Sequence, residues 1–316
     1  MDSTEKKCRH GCFLMTEKNK IHQGNVIDTI DGIDVIECTV CGFKHVNPLP
    51  SQEELETLYK KEYYSLDKPQ YLKDSEEDQE WWEMTYRQYF HLFDKHLKKE
   101  APSLFEIGSG PGFFLKVGKE HGWDVLGIEP SKQAVAFSKQ FDVPVIHDFF
   151  HEETAKKLGT FDLIFMDTLL EHVPNPSSMI ALCSSLLNPG GLLCVISPND
   201  YNPLQKILRN QKNYPPWWIV PRHHLNYFDF TSIQSLFKQH QLQVVESLGT
   251  FPMEFFLLCD DNYIENHALG REVHGKRKTL EKLMLANNPK LLESFYQWLG
   301  MQGLGRSFVV IAKKPS

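Results

Sequence analysis

The chain has 316 residues, 41% apolar and 24% charged, a composition that builds a packed core and excludes a disordered chain; its length holds one large α/β domain plus a small module. The formal net charge is −7 and Lys and Arg gather nowhere densely, which argues against nucleic acid as a partner. Apolar runs such as Leu192 to Ile196 are too short to insert in a membrane, and Met1 to Lys7 leads into no secretory signal, so the expected location is cytoplasmic.

Residues 1–60 are expected to form a zinc-ribbon-like module. The alternation Ile33-Asp34-Val35-Ile36-Glu37 predicts short strands there. Seven cysteines in a reducing compartment point to thiols or metal ligands, not to a disulfide framework. Cys8-x3-Cys12 and Cys38-x2-Cys41 offer four thiolates to one tetrahedral zinc, and a closed site of that kind is structural. His10, His22 and His45 read as solvated side chains, and Cys183, Cys194 and Cys259 as core. Ser51 with Glu54 is a capping-box signature for a short helix running to about Tyr59.

A connector and an amphipathic helix fill residues 61–100, with Trp82, Tyr86, Tyr89, Phe90, Phe93 and Leu97 at three- and four-residue steps. From residue 101 to 250 strand-like and helix-like segments alternate. Strands are predicted at Leu104–Ile107, Val125–Ile128, Val143–Ile146, Leu163–Met166 and Leu192–Ile196, the last after a turn at Asn188-Pro189-Gly190-Gly191, and a further strand at Gln243–Leu248. Such alternation means an α/β fold with a parallel sheet and helical crossovers. A helical insertion over residues 251–305 precedes a last strand in 306–316; it carries basic residues, among them Arg271, Lys276 and Arg277, that read as a solvated face over the substrate pocket.

Gly108, Gly110 and Gly112 follow the first of these strands and precede a helix, where the backbone must bend sharply and approach a ligand. Glu129 ends the next strand, placed to accept from the ribose hydroxyls of an adenosine ligand. The spacing is G-x-G-x-G after an acidic residue, Glu106-Ile107-Gly108-Ser109-Gly110-Pro111-Gly112, and here the chain resembles class I methyltransferases dependent on S-adenosylmethionine (SAM). That resemblance implies a Rossmann-like seven-stranded sheet with a final antiparallel strand. It also places Glu106 near the methionine end of SAM, Glu129 on the ribose, Asp148 on the adenine with Pro130 and Phe149 packed against it, and Met166 and Asp167 along the cofactor.

The paired cysteines, with Asn47-Pro48-Leu49-Pro50-Ser51 and then Tyr63-Tyr64, resemble the amino-terminal zinc-binding module of bacterial deoxysugar C-methyltransferases, which makes Tyr63 and Tyr64 substrate-side candidates. His223-His224-Leu225-Asn226-Tyr227-Phe228 resembles the Glu-His-Leu-x-Tyr-Phe segment of those enzymes, with His223 standing where they have Glu. A histidine suits proton removal near neutral pH, which makes His224 the first candidate base and Tyr227 an auxiliary donor. His172 is the rival base, because Glu171-His172 also resembles quinone-ring O-methyltransferases. Trp217, in the aromatic run Asn213 to Trp218, is a candidate wall for a sugar or ring substrate. The expected function is methyl transfer to a small-molecule acceptor, a nucleotide-linked or polysaccharide sugar; the alternatives are a quinone or phenol O-methyltransferase, a zinc-ribbon RNA methylase, and a SAM-binding protein without catalysis.

Overall fold

The structure, a computed structural model, describes residues 22–50 and 71–316. Cys8, His10, Cys12, the helix expected from Ser51, Tyr63 and Tyr64 lie outside the described residues.

The described chain opens with strands β1 (Gly24–Ile30), β2 (Ile33–Cys38) and β3 (Lys44–Asn47). Asp31 and Gly32 turn β1 into β2 with φ of 51° and 78°, the two left-handed residues that match the twist of a tight hairpin. Helices α1 (Tyr71–Glu77) and α2 (Gln79–Leu97) follow. The alternating part then runs β4 (Ser103–Ile107), α3 (Phe113–Glu120), β5 (Asp124–Ile128), α4 (Lys132–Ser138), β6 (Val145–Ile146), α5 (Glu152–Ala155), β7 (Phe161–Asp167), α6 (Pro176–Leu186) and β8 (Leu187–Pro198). It continues with α7 (Pro203–Lys212), β9 (Asn226–Tyr227), α8 (Phe230–Gln239) and β10 (Gln243–Gly249). The chain ends through α9 (Glu254–Leu258), α10 (His267–Asn287), α11 (Pro289–Met301) and β11 (Ser307–Lys313).

The main sheet has seven strands in the order β10-β11-β8-β7-β4-β5-β6, with β11 antiparallel to both its neighbours and the pairs from β8 to β6 parallel. The chain leaves β4 outward through β5 and β6, then returns to β7 on the other side of β4. That reversal opens a crevice at the carboxyl ends of β4 and β7, the usual ligand site of an open α/β sheet. The predicted turn Asn188–Gly191 lies inside β8 instead, because the amide of Gly190 and the carbonyl of Gly191 both bond to Lys314 and draw the segment into the sheet edge.

Strand alternation divides the core into two layers. Phe105, Ile107, Ile164 and Met166 meet α6 and α8 through Ile180, Cys183, Ile233 and Phe237 on one face. Leu104, Leu163 and Phe165 meet α2 and α3 through Tyr86, Phe90, Phe93, Phe114 and Val117 on the other. Trp82 and Leu97 of the predicted stripe are only partly buried, while Trp81 is nearly fully buried. The shift follows from α10: Arg277 stacks 4.7 Å above the Trp81 ring, and the indole N–H of Trp81 donates to Glu281 at 2.5 Å.

Arg271 and Arg277 of the insertion are therefore drawn into contacts, whereas Lys276 is solvent-exposed as expected. Arg271 and Lys278 bind Asp78 at the start of α2, Arg277 binds Glu281, and Lys276 pairs with Glu272. Burial and the neighbouring Arg277 push His274 down to about 4, so it sits neutral within this lock. Cys183 and Cys194 are core, whereas Cys259 is exposed, because α9 ends there and turns its last residue outward.

A second, antiparallel sheet has the order β1-β2-β3-β9. Its outer strand β9 comes from the loop after α7, with Lys44 paired to Tyr227 and His45 to Asn226. Asp28 of β1 accepts both guanidinium nitrogens of Arg209 in α7, at 2.9 and 2.7 Å, and the hydroxyl of Tyr201 at 3.0 Å. The amino-terminal strands are thus built into the wall of the main domain. No helix among the described residues is long and apolar enough to cross a membrane.

Candidate active site

At the tip of β4, Gly108, Gly110 and Gly112 hold φ of 74°, 48° and 85°, the left-handed region that side chains disfavour. A Cβ on Gly112 would also meet the Cβ of Ser138 at 2.9 Å. Glu129, 2% exposed at the end of β5, binds this loop: one oxygen accepts from the Gly110 amide at 2.9 Å, the other from the Ser131 amide at 2.7 Å.

Glu106 and Asp167 stand at the tips of the adjacent strands β4 and β7. Burial, then the nearby Asp167 and Glu129, hold the Glu106 carboxyl well above the ordinary range. Burial also pushes Asp167 up to about 7, against hydrogen bonds from Tyr86 and Thr168. Three buried carboxyls in mutual electrostatic reach suit a cationic ligand, whose charge relieves their repulsion. Glu106 Oε2 and Ser109 Oγ are buried without a hydrogen-bond partner among the described residues. The adenosine analogue SAM carries a sulfonium and an ammonium, so the donor set fits it. Asp148 is exposed and accepts from the Phe149 amide at 2.8 Å, Phe149 is 37% exposed, and Pro130 is half-buried beside them. The Met166 side chain is instead packed in the sheet core with Ile107 and Ile164.

Beyond β7 the chain makes a 3-10 turn over Leu170–His172. Glu171 is 1% exposed; the Ser197 hydroxyl donates to its Oε2 at 2.9 Å, and burial pushes it up to about 8. His172 Nε2 lies 4.0 Å from Glu171 Oε1, and His172 Nδ1 donates to the carbonyl of His223 at 2.7 Å, which fixes that nitrogen as the protonated one. The His224 ring stands edge-on to His172 with centroids 5.0 Å apart. The segment holding His223 and His224 is pinned here because the Leu225 amide donates to the Glu171 carbonyl and the Asn226 side chain donates to Val173 O at 2.7 Å. The structure thus brings both candidate histidines together around one buried acid, Glu171, which the sequence reading passed over. Tyr227 and Trp218 are buried in the small cluster behind this segment, with Trp217 packed against it.

The cysteine module places Cys38 and Cys41 with two histidines. His22 Nδ1 lies 3.3 Å from Cys41 Sγ and 3.8 Å from Cys38 Sγ, and ligand atoms of His22, Cys38, Cys41 and His45 all lie within 4.8 Å of one another. His45 is 1% exposed; its Nδ1 bonds to Val46 O at 2.7 Å, leaving a buried Nε2 without a partner among the described residues. Neither histidine is the solvated side chain expected: β3 buries His45, and His22 leads into β1 against the thiols. Tetrahedral metal bonds of about 2.0–2.3 Å imply ligand separations of about 3.3–3.8 Å, as found for His22 and the two sulfurs.

A seven-stranded sheet of this order, with a reversed last strand and carboxyls at the tips of β4, β5 and β7, defines a class I SAM-dependent methyltransferase fold. Residues 81–247, more than half of the chain, match the family described as "Methyltransferase domain", and the chain belongs to that family. It is similar to the ubiquinone biosynthesis O-methyltransferase of Aromatoleum aromaticum, 31% identical over 104 residues, 31% of this chain and 44% of that one. It is also similar to the C-methyltransferase NovU of Streptomyces niveus, 28% identical over 147 residues, 45% of this chain and 33% of NovU. The chain spans about half the length of the first curated relatives, 44% in Aromatoleum aromaticum and 61% in Coxiella burnetii. A SAM-dependent methyltransferase of Archaeoglobus fulgidus shares the fold with a TM-score of 0.51 at 18% identity, covering 77% of this chain and 99% of that one. The plantazolicin methyltransferase BpumL, solved with a substrate analogue and SAH, gives 0.50 at 15% identity over 83% and 94%.

Proposed function

We propose that the protein transfers the methyl group of SAM to a small-molecule acceptor, a nucleotide-linked or polysaccharide sugar. The observation that carries this reading is the convergence of His224, His172 and buried Glu171 beside the acid-lined crevice. SAM when bound supplies a methyl group on a sulfonium, open to in-line displacement. Gly108, Gly110 and Gly112 let the backbone approach it, Glu129 accepts from its ribose, Glu106 and Asp167 face its cationic end, and Asp148, Pro130 and Phe149 flank its adenine.

In this proposal His224 takes the proton of the acceptor, His172 and Glu171 hold it in place, and Tyr227 is the auxiliary donor. His223, Trp217, Tyr63 and Tyr64 are assigned to the acceptor side. Similarity to a C-methyltransferase and the wall built by β9 against the cysteine module support the sugar reading. Quinone O-methylation is the second reading, favoured by Glu171-His172 and the similarity to ubiquinone O-methyltransferases. A labelled-methyl screen over nucleotide sugars, phenols and RNA separates them: label in nucleotide sugars is expected, label confined to phenols selects the second reading, and label in RNA overturns both.

A structural zinc completes the proposal. Cys38 and Cys41 are its assigned thiolates, with His22 and His45 in the described shell and Cys8 and Cys12 as the remaining candidates from sequence. Such a metal holds together strands too few to bury a core of their own. Elemental analysis of chelator-free protein is expected to return one zinc per chain; none would remove the site.

A further inference from the structure

Past the end of β8 the chain is held between two other segments. The Asn199 amide donates to Arg306 O at 3.1 Å, just before β11, and the Asp200 amide donates to Phe228 O at 2.9 Å, just after β9. Glu254, at the start of α9, closes the third side: its Oε1 accepts from Asn202 and Gln205, both at 3.3 Å. Asn199, Asp200 and Glu254 are 1%, 2% and 0% exposed.

Each of these side chains is anchored through one end and offers the other. The Asn199 amide nitrogen donates to Gly303 O and Gly305 O at 3.0 and 3.2 Å, while its Oδ1 has no hydrogen-bond partner among the described residues. The same holds for Asp200 Oδ1, Glu254 Oε2 and Arg306 Nη1. Asp200 and Tyr263 both feel Arg306 and Glu254, which brings the phenol of Tyr263 into the same neighbourhood. Packing defects do not gather donors and acceptors of opposite charge at one place, each pre-oriented by its other end.

We infer that Asp200, Glu254, Arg306 and Asn199 form an acceptor-reading subsite for the hydroxyl groups of an uncharged sugar ring. The inference rests on the sugar reading above and names the residues that would enforce it. Two carboxyls face one guanidinium, so the subsite holds no surplus positive charge with which to attract a phosphate or carboxylate. A phenol or hydroquinone acceptor offers fewer hydroxyls, all in the plane of a flat ring, than a hexose offers to the two carboxyls and the Asn199 oxygen. A diol donates to a carboxyl oxygen and accepts from the guanidinium at once. Discrimination then comes from polar atoms that go unpaired when the wrong acceptor enters.

The test uses the full chain loaded with S-adenosylhomocysteine (SAH) and saturation-transfer NMR with UDP-glucose, UDP-glucuronate and catechol as probes. In the wild type the hexose ring protons of UDP-glucose receive saturation. Asp200→Asn and Glu254→Gln each reduce hexose affinity about tenfold or more while SAH affinity, read by calorimetry, stays within about threefold. Glu254→Gln removes one of the two carboxyls that repel an anion beside Arg306 and raises affinity for UDP-glucuronate about fivefold. If either carboxyl variant fails to bind SAH, Arg306→Lys carries the same comparison, because it keeps the charge and removes the planar fork. Hexose contact undiminished in the variants overturns the subsite and leaves the sugar reading standing. Wild-type contact with catechol and none with the hexose overturns the sugar reading, and the subsite's ligand with it.

Discussion

The two halves of the crevice are built differently. On the β4, β5 and β7 side every group lies between residues 106 and 167, Glu129 binds the Gly110 amide of the loop and the Ser131 amide after β5, and the glycines stand in conformations few residues adopt. The other side draws on β3, the Leu170–His172 turn, the segment from Asn199 to Tyr227, Glu254 and Arg306. A loop built from one contiguous stretch suits a ligand common to many enzymes. A surface gathered from distant segments suits a particular acceptor, because each segment changes without disturbing the loop.

The largest effect that would break this division lies in the loop. Gly112→Ala puts a side chain at φ 85° and 2.9 Å from Ser138 Cβ, so we expect a loss of about 3 kcal/mol, from about 1–2 for the backbone and about 1–3 for overpacking. An unchanged denaturant midpoint would show that the loop does not need glycine there. Next, Glu129→Ala removes the bonds to the Gly110 and Ser131 amides and is expected to weaken SAH binding about 100-fold by calorimetry. Retained affinity would move the donor site elsewhere.

On the acceptor side, Asp28→Asn weakens the fork to Arg209 that ties β1 to α7. Because Arg209 is 41% exposed, about 2 kcal/mol is expected, less than for a wholly buried pair. Hydrogen exchange should rise first in β1 to β3 with SAH affinity kept; loss of that affinity would join the two halves. The last effect is a slope, small at any one pH step. Glu171 is raised from 4.5 to about 8, so its stabilising contribution is complete below pH 4.5 and is lost as pH rises through about 8. Glu171→Gln is expected to remove that part of the decline, at most about 1.4 kcal/mol per pH unit. Identical pH profiles of unfolding would show that Glu171 titrates normally.

The same contrast separates what the sequence disclosed from what it concealed. The alternating strands, the aromatic helix and the loop from Glu106 to Gly112 depend on contiguous spacing, so periodicity and glycine position exposed them. Met166 belongs to the core because it alternates with Phe165 across β7, a consequence that strand period alone contained. Asp31-Gly32 likewise carried a hairpin signal. The approach of His22 and His45 to the thiols, the pairing of β3 with β9 and the burial of Glu171, Asp200 and Glu254 were not legible. They arise only when separate segments are packed together, as where His22 meets Cys41 and where His45 pairs with Asn226. Arg271 and Arg277 misled for a like reason: Asp78 and Trp81, which they meet at α2, stand far from them in the sequence.

The division between a donor half and an acceptor half is tested most directly at His224. With the acceptor found by the labelled-methyl screen, His224→Ala is measured for turnover and, in the same preparation, for SAH binding. Turnover should fall by about 100-fold or more while the dissociation constant for SAH stays within about threefold. Unchanged turnover, or turnover and SAH affinity falling together, would contradict the account.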